Sequence, residues 1–178
     1  MRSFVPYLQI ICTTIVACMI YGLIHAIVAT QIPIIYYAAF YPLPEGLIEN
    51  PLLLGLILGI ATSWWLGLSM GFVFSLACRK GDKPKLVWKD LIKPIRKYLV
   101  VAICCTAIAG SVGYWFSVIG ILQLPDAIYH VIMDDEEAGF WSVGFMNLTG
   151  YGAACVGCIW VVLQIRSTRQ RLSVDHED

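Results

Sequence analysis

The chain of 178 residues is too apolar for a soluble domain of its size, because 59% of its residues are hydrophobic and only 13% are charged. Soluble domains carry about 45–50% apolar and about 25% charged residues. The twelve basic and twelve acidic residues cancel, but the basic ones are gathered beside apolar runs. We therefore expect a lipid bilayer, and no nucleic acid, as the partner.

Four apolar runs are each long enough for a helix that crosses a bilayer, which needs about 20 residues. We predict spans at about 5–30, 51–78, 98–122 and 140–165. Outer loops at 31–50 and 123–139, a basic inner loop at 79–97 and a cytoplasmic tail at 166–178 complete the chain. The polar end of this tail, after Arg171, is expected to be disordered. The predicted fold class is all-α, with one four-helix transmembrane bundle as a single domain.

The first run carries a polar stripe at helical spacing, formed by Thr14, Cys18, Tyr21 and His25. The run is longer than the core of a signal peptide, which has about 7–15 residues, so we expect it to be retained as a span. The following loop is rich in proline and aromatic residues, which are typical of a membrane interface. An aromatic platform for a ligand is the alternative interpretation.

The second run contains no charged residue and repeats a small residue at every fourth position. In lipid, helices associate where small residues let their backbones approach closely. We therefore predict a packing ridge along this helix, with either another span of the chain or a second protein as its partner. The ridge comprises Gly55, Gly59, Ser63, Gly67, Gly71 and Ser75.

The loop between the second and third spans holds eight of the twelve basic residues. Apolar residues recur there at helical spacing, which predicts an amphipathic segment on the inner membrane surface that Pro94 ends or kinks. Contact with anionic lipid headgroups is expected, and binding to an acidic partner surface is the alternative. The expected headgroup contacts are Lys85, Trp88, Lys89 and Lys93.

The second outer loop is acidic, and its carboxylates at Asp134, Asp135 and Glu136 are the kind of ligand that a hard cation takes. The spacing of a calcium-binding loop is lacking, so we interpret the segment as a solvated loop and predict no metal site. In the fourth run, Cys155 and Cys158 have the spacing of redox and metal motifs. Inside an apolar helix this spacing is a weak signal, and no cofactor is predicted.

The distribution of charge predicts the topology. With both termini in the cytoplasm, all basic residues lie on that side: one before the first span, eight in the inner loop and three after the fourth span. The two outer loops then carry seven acidic residues and no basic one. Because cytoplasmic loops hold the excess of Lys and Arg, we predict that both termini are cytoplasmic.

Chemistry within the predicted spans is restricted, because His25 is the only side chain there, apart from thiols, that titrates near neutral pH. The motifs of zinc proteases, serine hydrolases and phosphate loops are absent, so no catalytic residue is predicted. Polar residues of the other three spans lie at a depth similar to that of His25, which suggests an outward-facing, ligand-binding pocket. The alternative is that these groups satisfy one another across the helix interfaces. The candidate pocket residues are His25, Thr62, Tyr114, Asn147 and Tyr151.

Several short segments together resemble a group of small four-span bacterial inner-membrane proteins of uncharacterised activity. The resemblance covers about two-thirds of the chain, and its best match is the basic loop with Gly81, Pro84 and Pro94. It implies the fold and an inner-membrane location, and it attaches no activity. The other matching segments are Tyr21-Gly22 with His25, Trp64-Trp65-Leu66-Gly67, and Gly110 with Gly113-Tyr114.

The chain departs from this group around the pocket. The group carries more polar residues just after the histidine that matches His25, and a second histidine near the position of Asn147. Here Ala26 and Ile27 follow His25, and Asn147 supplies only an amide. A metal or acid–base role shared with the group is therefore not expected of this chain.

Three functions remain open from the sequence. The first is a non-enzymatic structural or accessory component that associates with a second copy or with another membrane protein through the small-residue ridge. The second is a small transporter or channel subunit that uses the polar pocket around His25 and Asn147. The third is a membrane thiol-redox protein that uses Cys155 and Cys158.

Overall fold

The computed structural model describes residues 4–33, 35–41, 43–124, 132 and 136–174. Within these ranges the chain contains helices and no strand. The helices, in chain order, are α1 (Val5–Gln31), α2 (Ile35–Phe40), α3 (Glu45–Ile48), α4 (Pro51–Arg79), α5 (Trp88–Val118) and α6 (Glu137–Val174).

Four of the helices in the described part of the chain, α1, α4, α5 and α6, are long and apolar enough to cross a membrane. Large apolar side chains project outward along all four, as Val16, Leu68, Ile108 and Val156 illustrate. Such a surface is stable in hydrocarbon and unstable in water. The predicted all-α fold class with four spanning helices is confirmed, and the chain is a multi-pass membrane protein.

Residues at the helix starts explain where α4 and α5 begin. In α4, Pro51 follows Asn50, whose side-chain oxygen accepts a hydrogen bond from the backbone N–H of Leu53 at 3.1 Å. In α5, the Asp90 carboxylate accepts from the backbone N–H of Val87 at 2.8 Å. Both bonds satisfy N–H groups that have no partner inside the helix.

The basic loop differs from its prediction. The expected amphipathic segment is not a separate surface helix, because α5 begins at Trp88 and continues through Pro94 into the membrane. Proline at this position leaves only the carbonyl of Asp90 without its helical donor, and Asp90 is exposed. Water can bond to that carbonyl, so the helix continues.

The end of α5 also differs, since the helix stops at Val118 and not at 122. Gly120 has a φ of +75°, and its backbone N–H and that of Ile121 bond back to the carbonyls of Ser117 and Phe116. This left-handed glycine ends the helix although the sequence beyond it stays apolar.

α6 continues through the first part of the predicted tail to Val174, so the disorder expected after Arg171 is wrong for residues 172–174. Arg169 in this part is only 6% exposed, although it is charged. Its guanidinium donates hydrogen bonds to four backbone carbonyls at 2.6–3.0 Å. These carbonyls belong to the end of α4 and to the loop after it: Ala77, Lys80, Lys83 and Pro84.

The bundle is built from two closely packed pairs, α1 with α4 and α5 with α6, which meet less extensively. The small-residue ridge of α4 is buried, and it packs against α1 of the same chain. A methyl group added at Gly67 would lie 2.6 Å from the Cα of Ile15, and one at Gly59 would lie 2.8 Å from the Cα of Leu23. The ridge therefore brings two backbones together within one molecule.

The described basic residues of the loop after α4 and of the end of α6 lie at one end of this bundle, beside the start of α1. Arg79, at the end of α4, lies with its guanidinium carbon 5.8 Å from the centre of the Tyr7 ring in α1. Arg169 ties α6 to the loop that follows α4. An apolar cluster that includes Ile10, Phe74 and Leu91 fills the core next to this end.

Candidate functional site

His25 of α1 and Asn147 of α6 are joined by a hydrogen bond across the bundle, with 3.0 Å between Nε2 and Oδ1. Because an amide oxygen can only accept, Nε2 carries the proton in this arrangement and donates it. The other ring nitrogen, Nδ1, is then an acceptor. It is buried and has no hydrogen-bond partner among the described residues.

Tyr21 lies one turn before His25 on α1, and the two rings are stacked with their centres 5.7 Å apart. The Tyr21 hydroxyl is likewise buried and makes no hydrogen bond within the part of the chain that the structure describes. A methyl group added at Gly150 would lie 3.3 Å from this hydroxyl and 3.8 Å from Cε1 of His25. The absence of a side chain at Gly150 therefore lets the Tyr21 hydroxyl approach α6 closely.

The first cavity at His25, which we call the outer cleft, has a volume of about 300 Å³. It extends from the spanning helices to the aromatic residues of α2 and to Tyr41, which follows α2. Its lining combines one imidazole, one amide, one aliphatic hydroxyl and several phenols. The polar residues are His25, Thr62, Asn147, Tyr36, Tyr37, Tyr41 and Tyr151.

A second, smaller cavity of about 70 Å³ continues from the outer cleft into the bundle. Four residues line both cavities: His25, Thr62, Asn147 and Tyr151. The smaller cavity reaches Met70, which belongs to the apolar cluster beside the basic end. Between the polar residues of the smaller cavity and the basic end, the bundle is filled by the buried apolar side chains of this cluster.

A third cavity, which we call the lateral gap, lies between α1, α5 and α6 and has a volume of about 540 Å³. Tyr21 and His25 line it together with lipid-facing side chains such as Ile24 and Trp115. Tyr114 lines this gap and not the outer cleft. Of the five candidate pocket residues, four line the outer cleft, and Tyr114 lines the lateral gap, which it shares with His25 alone of the five.

Two threonine hydroxyls near the site are satisfied by their own helices. The Thr62 hydroxyl donates to the carbonyl of Leu58 at 2.7 Å, and Thr106 donates to Ala102 at 3.0 Å. Hydroxyl groups of spanning helices commonly bond backward in this way. Among the described residues, buried side-chain atoms without a hydrogen-bond partner also occur at Arg79 and Trp141, but Tyr21 and His25 are the pair that lies together at a cavity.

Tyr37 contributes a neutral hydroxyl to the cleft. Tyr37 of α2 is buried, and burial raises the pKa of its hydroxyl to about 12, although the nearby Asn147 side chain acts in the opposite direction. The described residues that line the outer cleft include no Asp, Glu, Lys or Arg. A charged ligand would lose its hydration there without gaining an opposite charge.

Two parts of this site were missed by the sequence interpretation. The sequence indicates Tyr21 only as part of a polar stripe, and it favours the membrane interface for the aromatic residues of α2, with a ligand platform as the alternative. The spacing of four residues between Tyr21 and His25 is the signal that would have found the first. No pattern in the sequence predicts that α2 folds back over the spans. In the structure it does so, and Tyr37 packs in one buried cluster with Leu54 and Val143.

Other predicted residues lie away from this site. Lys85, Lys89 and Lys93 are exposed, and Trp88 is half-buried against the apolar cluster with Nζ of Lys89 5.7 Å from its ring centre. Asp134 and Asp135 of the acidic loop lie outside the described residues. Glu137 accepts a hydrogen bond from the backbone N–H of Leu124 at 2.9 Å.

The two cysteines of the redox hypothesis, Cys155 and Cys158, are free thiols on α6, the first exposed and the second half-buried. Within the described ranges, no three side chains of His, Cys, Asp or Glu are close enough together to hold a metal ion. Comparisons of the chain with protein-family models, with curated proteins and with solved structures give no match. The geometry around His25 is therefore the main guide to function.

Proposed function

We propose that the protein is a non-enzymatic, ligand-binding protein of the bacterial inner membrane, with both termini in the cytoplasm and the outer cleft on the opposite face. The ligand is a small neutral molecule that donates a hydrogen bond to Nδ1 of His25. The resemblance to small four-span inner-membrane proteins supports the compartment, and the clustering of basic residues at one end of the bundle supports the orientation.

The observation that carries this proposal is the buried, unpartnered Nδ1 of His25 beside a cavity. A buried polar atom without a partner costs about 1–3 kcal/mol, so a ligand that supplies a donor recovers that free energy. The bond from Nε2 to Asn147 fixes both the tautomer and the direction of the ring. The acceptor is thus already oriented before a ligand arrives.

The same geometry separates this function from the other candidates. The small-residue ridge is engaged by α1, so association with another protein would need a different surface. Cys155 faces outward on α6, away from the polar residues of the cleft. A transporter subunit is the second candidate, because the smaller cavity continues the outer cleft into the bundle.

The proposal is tested by identifying the small molecules that co-purify with the full chain in mild detergent, by mass spectrometry of the denatured sample. We expect a neutral molecule in the wild-type protein at close to one per chain, and a loss of at least tenfold in the His25→Phe variant. Ile24→Phe, at the adjacent lipid-facing position, is the matched control and should retain it. Equal small-molecule content in all three proteins would contradict a ligand site at His25.

A further inference from the structure

A groove runs along the lipid-facing side of the bundle between α5 and α6, on the opposite side of α5 from the lateral gap. It is the largest of the cavities described here, with a volume of about 890 Å³, and its walls are almost entirely apolar. Two cations, Arg96 and Lys97, stand at one end. We propose that this groove, which we call the α5–α6 groove, is a binding site for one anionic phospholipid.

The dimensions of the groove match one leaflet. On α5 it extends from Arg96 to Cys105, and on α6 it extends from Thr149 to Trp160. At a rise of about 1.5 Å per residue, the α5 wall is about 14 Å long. The hydrocarbon core of a bilayer is about 30 Å thick, so the groove covers about half of it, the depth that an acyl chain of one leaflet occupies.

Small residues create the space for an acyl chain. A methyl group added at Gly152 would meet no atom within 4 Å, whereas one added at Gly157 would overlap the ring of Tyr98. The Tyr98 ring therefore fills the position of the missing side chain at Gly157 and forms the floor of the groove. The space beside Gly152, by contrast, is unoccupied, so an acyl chain can contact the backbone of α6 there.

The charges select the headgroup. Arg96 and Lys97 are exposed and lie at the end of the bundle where the other basic segments are found. A guanidinium binds a phosphate with paired hydrogen bonds, and an ammonium adds a second charge-assisted contact. An anionic lipid in that leaflet would place its phosphate at these cations and its acyl chain along the groove.

A second copy of the chain is a less suitable occupant. Two parallel copies related by a two-fold axis along the bilayer normal would bury the same surface on each. Their four cations, Arg96 and Lys97 from each copy, would then be brought together, and like charges repel. A phospholipid instead meets these residues with opposite charge.

Native mass spectrometry of the full chain tests the site, with phosphatidylglycerol and phosphatidylcholine offered in equal amounts. We expect the wild-type protein to retain one phosphatidylglycerol, at least fivefold in excess of phosphatidylcholine. Gly152→Leu fills the groove and should lower retention of both lipids at least fivefold. Ala61→Leu adds the same volume at an exposed position of α4 and should have no effect.

The double variant Arg96→Gln/Lys97→Gln, which lacks both positive charges, should bind the two lipids equally. Because both side chains are exposed, we expect this double variant to fold. Its ratio of bound phosphatidylglycerol to phosphatidylcholine therefore tests the headgroup site even if circular dichroism shows that Gly152→Leu is misfolded. Unchanged retention in a folded Gly152→Leu variant, or equal binding of the two lipids by the wild type, would overturn the proposal. So would a wild-type dimer that Gly152→Leu converts to monomer, because the groove would then be a protein interface.

Discussion

Replacement of Arg169 by leucine removes the contacts that hold the basic end of the bundle together. The guanidinium donates four hydrogen bonds to backbone carbonyls from a buried position. Bonds from charged groups contribute about 1.5–3 kcal/mol each, and the sum for four bonds is about 6–12 kcal/mol. Three of the carbonyls, those of Lys80, Lys83 and Pro84, belong to a loop that water can reach. We therefore expect about half of that sum, a loss of about 3–6 kcal/mol in the free energy of unfolding.

Unfolding in mixed micelles, by titration with sodium dodecyl sulfate, measures this loss through circular dichroism. Arg171→Leu is the matched control, since it removes the same charge from an exposed position of the same helix and should change stability by less than about 0.5 kcal/mol. Arg169→Lys should lie between the two, because an ammonium cannot reach carbonyls arranged around a planar fork. If Arg169→Leu were as stable as Arg171→Leu, the four bonds would be replaced by water at no cost, and the reasoning would fail.

Three further substitutions test the packing and the site by the same titration. Gly67→Leu places a side chain against the backbone of α1 and should cost about 3 kcal/mol, whereas Gly46→Leu, where a methyl group meets no atom within 4 Å, should cost much less. Gly157→Ala displaces the Tyr98 ring and should cost about 1–3 kcal/mol, while Gly152→Ala on the same helix should be neutral or slightly stabilising; equal effects would mean that the ring moves freely. Asn147→Leu leaves the donor of His25 without its acceptor and should cost about 1 kcal/mol, and an unchanged stability would show that the bond between these side chains contributes nothing.

The spans and the packing ridge could be predicted because both are local patterns. A run of apolar residues must cross lipid wherever its partners lie, and a small residue at every fourth position forms a ridge on any helix. The sequence left the partner of the ridge open, because α1 and a second copy present equally apolar surfaces. Only the three-dimensional arrangement identifies Ile15 and Leu23 of α1 as the backbone that the ridge contacts.

The prediction of a separate surface helix in the basic loop was wrong, and the burial of Arg169 was not predicted. The sequence indicates charged residues near the ends of spans as topology signals and, in the loop, as headgroup contacts, and neither property predicts hydrogen bonds to the rest of the chain. Arg169 looks in sequence like Arg166 and Arg171, and only the position of the loop after α4 distinguishes it. Pro94 misled in the same way, since its effect depends on whether water can reach the carbonyl one turn earlier.

The site could be predicted in part. The depth of His25 and Asn147 along their spans was sufficient to place them in one candidate pocket. In the structure, Nε2 of His25 lies 3.0 Å from Oδ1 of Asn147. Depth does not fix the face of a helix, because each residue is rotated by about 100° from the last. Tyr114 therefore has the expected depth but lines the lateral gap. The unpaired atoms at Tyr21 and His25 could not be predicted, since a missing bond is a property of all the neighbours together.

The most direct test of the account asks from which side water reaches the outer cleft. In a chain whose native cysteines are replaced by serine, Thr62→Cys is exposed to a membrane-impermeant, uncharged and hydrophilic thiol reagent in right-side-out or in inverted vesicles. Thr62 lines the cleft, and Ser75→Cys, buried in the ridge against α1, is the control. The account predicts labelling of Thr62→Cys in right-side-out vesicles and no labelling of Ser75→Cys in either preparation. Labelling of Thr62→Cys only in inverted vesicles, or in neither, would contradict it.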